Sequence, residues 1–398
     1  MNISFKIAFL KYIPVLSFWL FFPGFFLYQI LINLSIIPAF LGGYFGSVSA
    51  VLLPLLVVVF LTNFLRKPRL IGVLDSLFLV LMLLIVIVTL GNYLLGEMAG
   101  NYELLYWNLS GVIFNLACYL MAKLFDLEEA KGRVLLPVSF VLVSVLFFLN
   151  LRNDAFSLLD SGIKGAATYQ GYGRSIVAIS LILVAGYRQA LVRAALISVT
   201  SIILLLVGSR SDLLLYIGTV AAAYYYITAG SAPRIFLSIV TSLLIISILL
   251  TNVELILPSL KNTRLFDFVE NGIFGSSSGQ ARLELAAAGW ANIIDNPVLG
   301  RYGAYVKETG SIGSYPHNLL SAWLNLGIIG FFCYVLLIGA LLYKSLRLVR
   351  IEINSLTLSS LFFTIFVIAA FITSKDYLFM FLGLSAGFTQ SIYRRRVS

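Results

Sequence analysis

From residue 77 to residue 90 the chain reads LFLVLMLLIVIVTL, an apolar run without a charged side chain. With its flanks this run forms a candidate span at 70–90, and about 20 apolar residues are enough for a helix to cross a bilayer core of roughly 30 Å. Leu, Ile, Val and Phe follow one another without the two-residue alternation of a barrel strand. The run therefore predicts a transmembrane helix, whose backbone polar groups bond within the segment.

Similar apolar runs recur along the whole chain. Only 11% of the 398 residues are charged and the mean hydropathy is +1.00, whereas a soluble domain has roughly 25% charged residues. We therefore predict an all-α polytopic membrane protein that forms one integral membrane domain over residues 1–398. With about twelve transmembrane helices, the expected spans are 12–34, 36–65, 70–90, 104–123, 134–150, 172–187, 194–208, 213–229, 235–251, 317–343, 356–373 and 377–393.

The first span follows Lys6 and Lys11, as the apolar part of a secretion signal would. It is too long for a signal and lacks a clear small-residue cleavage site, so we predict an uncleaved span. The two cysteines, Cys118 and Cys333, fall inside predicted spans without supporting metal ligands. We interpret them as packing residues.

Charges are distributed unevenly over the predicted connections. With both termini placed inside, most Lys and Arg residues lie on the inner side and most Asp and Glu residues on the outer side, as the positive-inside rule requires. The net charge of +10 therefore indicates topology and contact with anionic lipids, and no nucleic-acid partner is predicted. Arginines on the outer side stand out against this trend.

The longest outer connection is 252–316, and a connection of this length is usually functional or disordered. Within it, apolar residues repeat every three to four positions over 281–294, which predicts a short amphipathic helix. Pro297 ends this helix, and Trp290 suits a position at the outer membrane surface. The polar stretch 275–280 before the helix fits either a loop or a helix start.

The chain has one histidine, His317, at the end of this connection. Only histidine titrates near neutral pH without perturbation, which makes it a candidate for proton chemistry, although a capping or interfacial role is the alternative. Two arginines fall on the same outer side, Arg210 before one span and Arg282 in the amphipathic helix. Arg210 could equally snorkel or pair with Asp212, and Arg282 could pair with Glu284 or lipid headgroups.

These three side chains suit a reaction that releases a phosphate at a membrane surface. Two guanidinium groups can hold a diphosphate bidentately and offset its charge without a metal ion. Arg282 would gain from the unpaired N–H groups at a helix N-terminus. His317 is expected at the N-terminal end of the span 317–343, where the helix dipole disfavours the protonated imidazole. A neutral imidazole can act as a general base.

Several short motifs occur in an order that is typical of a known superfamily. They are Gly208-Ser-Arg-Ser211, Ser278-Gly-Gln-Ala-Arg282, Trp290, Asn296-Pro-Val-Leu-Gly300, His317-Asn-Leu-Leu320 and Leu326-Gly-Ile-Ile-Gly330. As a set they resemble the O-antigen ligase and polymerase superfamily. The pair Gly300-Arg-Tyr-Gly303 departs from the tighter Gly-x-Gly that is usual there. The short spacing between Arg282 and His317 favours a polymerase over a ligase.

The resemblance implies a GT-C-like glycosyltransferase in the bacterial inner membrane, with both termini cytoplasmic and the loop 252–316 and the active site periplasmic. Donor and acceptor would be undecaprenyl-diphosphate-linked glycans, and membrane lipids, a flippase and a chain-length regulator would be its partners. The implied transfer is inverting and needs neither a metal nor a cofactor. Arg210 and Arg282 would bind the diphosphate. His317 would take the proton from the acceptor hydroxyl, and Asn318 would orient the imidazole or a sugar.

Two alternatives to a surface polysaccharide polymerase remain open. An O-antigen ligase would transfer the finished polysaccharide to lipid A–core instead of to another repeat unit. A secondary transporter or lipid flippase would also fit about twelve spans, although such carriers usually have matching halves and ionisable residues near the membrane midplane. Lys375-Asp376, at a predicted outer turn, fits either a contact with substrate or an ion pair, and we favour the ion pair.

Overall fold

The structure is a computed structural model of the chain. It describes residues 10, 12–33, 36–38, 44–66, 71–96, 98–125, 130–149, 169–228 and 277–397, and within these ranges it is helical, with no strand. The helices are α1 (Ile13–Trp19), α2 (Phe25–Asn33), α3 (Tyr44–Arg66), α4 (Val73–Leu94), α5 (Tyr102–Leu124), α6 (Ala130–Leu149), α7 (Tyr169–Gly186), α8 (Ala190–Leu206), α9 (Arg210–Ile227), α10 (Ser277–Asp295), α11 (Ala304–Thr309), α12 (Leu320–Ile351), α13 (Ser355–Thr373) and α14 (Phe381–Val397).

Among the described residues, 6 helices are long and apolar enough to cross a membrane. They cover Ile13–Ile32, Tyr44–Leu65, Val73–Leu94, Tyr102–Leu124, Leu320–Ile351 and Ser355–Thr373. Shorter apolar helices cover Val134–Leu149, Gly171–Gly186 and Ala190–Leu206. The chain is therefore a membrane-embedded protein. Each predicted span overlaps a helix except 235–251, which lies outside the described residues.

The first span contains a proline in its interior. Pro23 has no N–H to donate along the helix, and its ring crowds the preceding turn. The backbone forms a π-helical turn over Leu20–Gly24, with α1 before it and α2 after it. A single wide turn of this kind accommodates the proline without ending the helix.

Helix α14 packs closely against α5 through two glycines. A Cβ at Gly383 would overlap the Asn115 carbonyl oxygen, and a Cβ at Gly387 would overlap the Tyr119 carbonyl oxygen. The Asn115 side chain donates a hydrogen bond to Leu378 O at 2.8 Å and accepts one from Gly383 N at 3.2 Å. Small residues and polar contacts of this kind hold helices together where lipid removes the hydrophobic driving force.

A buried ion pair joins the start of α4 to the end of α5. Lys123 Nζ lies 2.8 Å from Asp75 Oδ1, and the two side chains are 3% and 0% exposed. Asp75 also accepts hydrogen bonds from the Tyr119 hydroxyl and, at 2.6 Å, from Gly72 N. A buried pair is tolerated when its remaining polar atoms are satisfied in this way.

Candidate functional site

The turn that follows α10 fits into a break in α12. Gly327 has φ +66° and ψ −173°, so the helix is interrupted at this residue. Ile328 N donates to Val298 O at 3.0 Å, and Arg301 N donates to Leu324 O at 2.6 Å. The backbone groups freed by the break are therefore satisfied by the turn, as buried main-chain groups require.

Two glycines make this junction possible. A Cβ at Gly327 would overlap the Val298 carbonyl oxygen, and a Cβ at Gly300 would overlap the Leu324 carbonyl oxygen. Both glycines also have positive φ, which other residues adopt only at a cost. The motifs at 296–300 and 326–330 thus form one structural unit, which fixes the end of α10 against α12.

His317 lies in the connection between α11 and α12. Its half-buried ring lies 4.4 Å from the Tyr315 ring, measured between centroids. Burial, together with the Arg282 and Lys375 charges, lowers the pKa of His317 to about 4, although hydrogen bonding to the Ser374 backbone opposes this shift. The imidazole is therefore neutral at pH 7 and close to two cations from separate elements.

Burial is the main cause of this neutrality, and the sequence did not indicate it. Helix α12 begins at Leu320, three residues after the expected span start at His317. Arg282 does not lie in the first turn of a helix as expected, because α10 already begins at Ser277.

Asn318 contributes to the start of α12. Its side-chain oxygen accepts a hydrogen bond from Leu320 N at 3.0 Å, and its backbone carbonyl accepts one from Ser321 Oγ at 2.8 Å. These bonds hold the backbone directly after His317. The predicted role of Asn318 in orienting the imidazole or a sugar stays a prediction.

Arg210 is the first residue of α9, and Ser209 is the N-cap. The Arg210 side chain lies outside the part of the chain that the structure describes, so its contact with a diphosphate stays a prediction. Asp212, in the same turn, is fully buried and accepts a hydrogen bond from Ser209 Oγ at 2.7 Å. Its other oxygen lies 2.9 Å from Lys375 Nζ.

Lys375 thus forms its ion pair with Asp212, and not with its neighbour Asp376 as expected. The pairing joins the turn before α9 to the connection between α13 and α14. Burial raises the pKa of Asp376 to about 6, although the Arg174 and Lys375 charges oppose this shift. Two residues adjacent in sequence therefore take part in different interactions.

Arg174, in α7, is a further cation that the motifs did not indicate. Its guanidinium carbon lies 5.4 Å from the centroid of the Phe379 ring, and Lys375 Nζ lies 5.7 Å from the same centroid. The Arg174 charge acts on both Lys375 and Asp376. The signal that could have found it is an arginine within the predicted span 172–187, because ionisable residues inside spans are rare and often functional.

The predicted amphipathic helix is present as α10. Trp290 and Ile294 are exposed on one face, 47% and 61% respectively. On the opposite face Gly289 packs so closely on Pro316 that a Cβ would overlap the proline ring. The helix therefore combines an apolar outer surface with close contact to the residue before His317.

Among the described residues, the Arg282 and Lys375 charges thus act on His317, and the Arg174 charge acts on Lys375. Such an arrangement can hold an anion next to a neutral base. Comparisons with known proteins add no assignment, because no protein-family model and no curated protein matches the chain. The likeness to the O-antigen ligase and polymerase superfamily is carried by the motifs alone.

Proposed function

We propose that the chain is an O-antigen polymerase, or a polymerase of a related surface polysaccharide, which joins undecaprenyl-diphosphate-linked repeat units. The supporting observation is that the charge of Arg282, from one motif, acts on the half-buried imidazole of His317, from another. A neutral imidazole beside cations suits a reaction in which a diphosphate leaves and a hydroxyl loses its proton.

The proposed reaction is a single displacement. The acceptor hydroxyl oxygen attacks the anomeric carbon of the donor, and the bond between this carbon and the diphosphate oxygen breaks. The diphosphate leaves with the electron pair, and the hydroxyl proton passes to the His317 imidazole. One displacement inverts the configuration at the anomeric carbon and releases undecaprenyl diphosphate.

Arg282 and Arg210 hold the diphosphate in this mechanism. Guanidinium groups bind phosphate oxygens bidentately and stabilise the charge that develops on the leaving group. The bound diphosphate in turn offsets the cationic charges that lower the pKa of His317. The imidazole therefore becomes a stronger base when the donor is present.

The proposed location is the bacterial inner membrane, with about twelve spans in a GT-C-like arrangement and both termini in the cytoplasm. The uneven distribution of basic residues supports this orientation. It places His317 and Arg282 on the periplasmic side, where the exposed Trp290 and Ile294 of α10 suit the membrane surface.

The polysaccharide profile of a deletion strain tests the reaction class. For loss of a polymerase we expect lipid A–core that carries a single repeat unit, restored to long chains by the intact gene. Core without any unit would indicate a ligase. Lipid-linked units retained on the cytoplasmic face would indicate a flippase or transporter and would overturn the proposal.

Exchanging Arg282 for lysine should reduce polymer formation by the reconstituted protein roughly tenfold or more, because a point charge does not reproduce the guanidinium fork. The control is Arg347→Lys at the other end of α12, where the guanidinium donates a hydrogen bond to the Tyr393 hydroxyl at 2.7 Å. This variant should keep its activity. Full activity of Arg282→Lys would remove Arg282 from the diphosphate site.

A further inference from the structure

A half-open cavity of about 580 Å³ lies where α6, α7, α8 and α13 meet. This volume is usual for a site that binds a small molecule. Part of its wall is apolar, with Leu136 of α6, Leu183 of α7 and Leu358 of α13. Ser355, which also lines the cavity, follows the end of α12, whereas His317 precedes the start of that helix. The cavity is therefore at the other end of α12 from the proposed active site and separate from it.

Two arginines line the cavity, Arg188 between α7 and α8 and Arg193 in the first turn of α8. Arg193 Nε donates a hydrogen bond to the Tyr187 carbonyl oxygen, and its guanidinium carbon lies 5.2 Å from the centroid of the Tyr224 ring. These contacts hold the guanidinium in place and leave its terminal N–H groups for another acceptor. Arg188 is exposed. Among the described residues that line the cavity none is acidic, so none of them offsets the two charges.

An exposed apolar face of α6 adjoins the cavity. Val141, Val145 and Phe148 follow Pro137 at spacings of 4, 4 and 3 residues, which puts all four on one side of the helix. Pro137 lines the cavity, and the other three side chains are exposed. An apolar chain bound along this face would continue directly from the cavity, whereas a free inorganic anion would leave the face uncovered.

We propose that the cavity is a binding site for an anionic phospholipid of the surrounding membrane. The lipid phosphate accepts hydrogen bonds from Arg188 and Arg193, because the guanidinium fork matches phosphate oxygens. Ser355, the first residue of α13, adds a hydroxyl and a backbone N–H that the helix leaves without an intrahelical acceptor. One acyl chain lies along the exposed face of α6.

The position of the cavity suits such a lipid. Basic pockets between transmembrane helices on the cytoplasmic side hold anionic headgroups, and the distribution of basic residues places Arg188 and Arg193 on that side. A lipid bound there contacts four helices and stabilises the folded protein by mass action. Binding requires no turnover, so the site is independent of the proposed polymerase activity.

Native mass spectrometry of the full-length protein in detergent measures the binding directly. Phosphatidylglycerol, added at increasing concentration, should give a lipid-bound species. The double variant Arg188→Gln/Arg193→Gln should bind this lipid roughly tenfold or more weakly, because two cationic contacts to the headgroup are lost. The matched control Arg347→Gln/Arg350→Gln removes two arginines near the end of α12, outside the cavity lining. It should bind as the unchanged protein does.

A further variant and two further probes complete the test. If the double variant does not fold, Arg188→Gln replaces it, since the exposed Arg188 can be exchanged without disturbing the contacts of Arg193. Phosphatidylcholine, with the same acyl chains and no net charge, should bind more weakly than phosphatidylglycerol. Inorganic phosphate at the same concentration should not displace the bound lipid.

Three results would overturn the proposal. The first is equal affinity for phosphatidylglycerol in the unchanged protein and the Arg188 variants, and the second is an equal loss in the Arg347/Arg350 control. The third is displacement of the lipid by inorganic phosphate, which would assign the two arginines to a free anion. In the expected case, phosphatidylglycerol should also raise the thermal unfolding midpoint of the unchanged protein more than that of the Arg188/Arg193 variant.

Discussion

His317→Ala should fold normally and lose glycosyl transfer by roughly 10²–10⁴-fold, the usual contribution of a positioned general base. The imidazole is half-buried and neutral, so its removal leaves no unpaired charge. The assay is the lengthening of purified lipid-linked repeat units by the protein in proteoliposomes. The thermal unfolding midpoint, measured on the same preparation, controls for the fold. Activity equal to that of the unchanged protein would show that another group takes the proton.

The pH dependence of the unchanged protein gives a second measurement on the same residue. The active form is the neutral imidazole, so activity is present above the pKa of His317 and is lost as the pH falls through it. Because this pKa is lowered to about 4 in the free protein, the acid limb of kcat/KM should lie well below the value of roughly 6.5 for an unperturbed histidine. The limb of kcat should lie higher, because bound diphosphate offsets the neighbouring cations. An acid limb of kcat/KM near that of free histidine would contradict the assignment.

Gly327→Ala should destabilise the junction between α12 and the turn after α10 strongly enough to abolish activity. Gly327 combines a positive φ with an extended ψ, a conformation that costs a non-glycine residue about 1–3 kcal/mol, and the new Cβ would in addition overlap the Val298 carbonyl oxygen. The backbone must then move, and the bond from Ile328 N to Val298 O is lost. Thermal unfolding in detergent and the polymerisation assay measure the two effects.

Gly310→Ala is the control for this prediction. Gly310 also has a positive φ, of 70°, but a Cβ there has no neighbour within 4 Å. Its ψ of 7° lies in the left-handed helical region, so this variant measures the cost of a positive φ without a close approach, and it should lower the unfolding midpoint much less than Gly327→Ala. Equal midpoints would mean that neither the extended ψ nor the close approach at Gly327 contributes.

The apolar runs predicted the helices well because length and hydrophobicity alone decide whether a segment can cross a bilayer. Local deviations were harder to predict. The π-helical turn at Leu20–Gly24 depends on how the chain accommodates Pro23, and α11 is too short to show a periodic pattern. The start of α12 at Leu320 depends on hydrogen bonds of Asn318, which a hydropathy pattern does not contain.

For the candidate site, the motifs indicated His317 and Arg282, and the structure shows that the Arg282 charge acts on the imidazole. They could not indicate that Lys375 pairs with Asp212, because the two residues are far apart in sequence and only the fold brings them together. The neutrality of His317 was predicted from a helix dipole, but burial and neighbouring charge, which are its main causes, were not indicated. These are properties of the folded chain.

The junction at Gly327 also bears on how relatives of this chain can diverge. Residues 301–326 leave and re-enter it at nearly the same point, since Arg301 N bonds to Leu324 O. The tip of this closed loop, at 307–311, is exposed. Residues inserted at such a tip lower the free energy of unfolding only slightly, because the entropic cost of closing a loop rises slowly with its length. The tip can therefore change in length and composition between relatives while the junction at Gly327 stays unchanged.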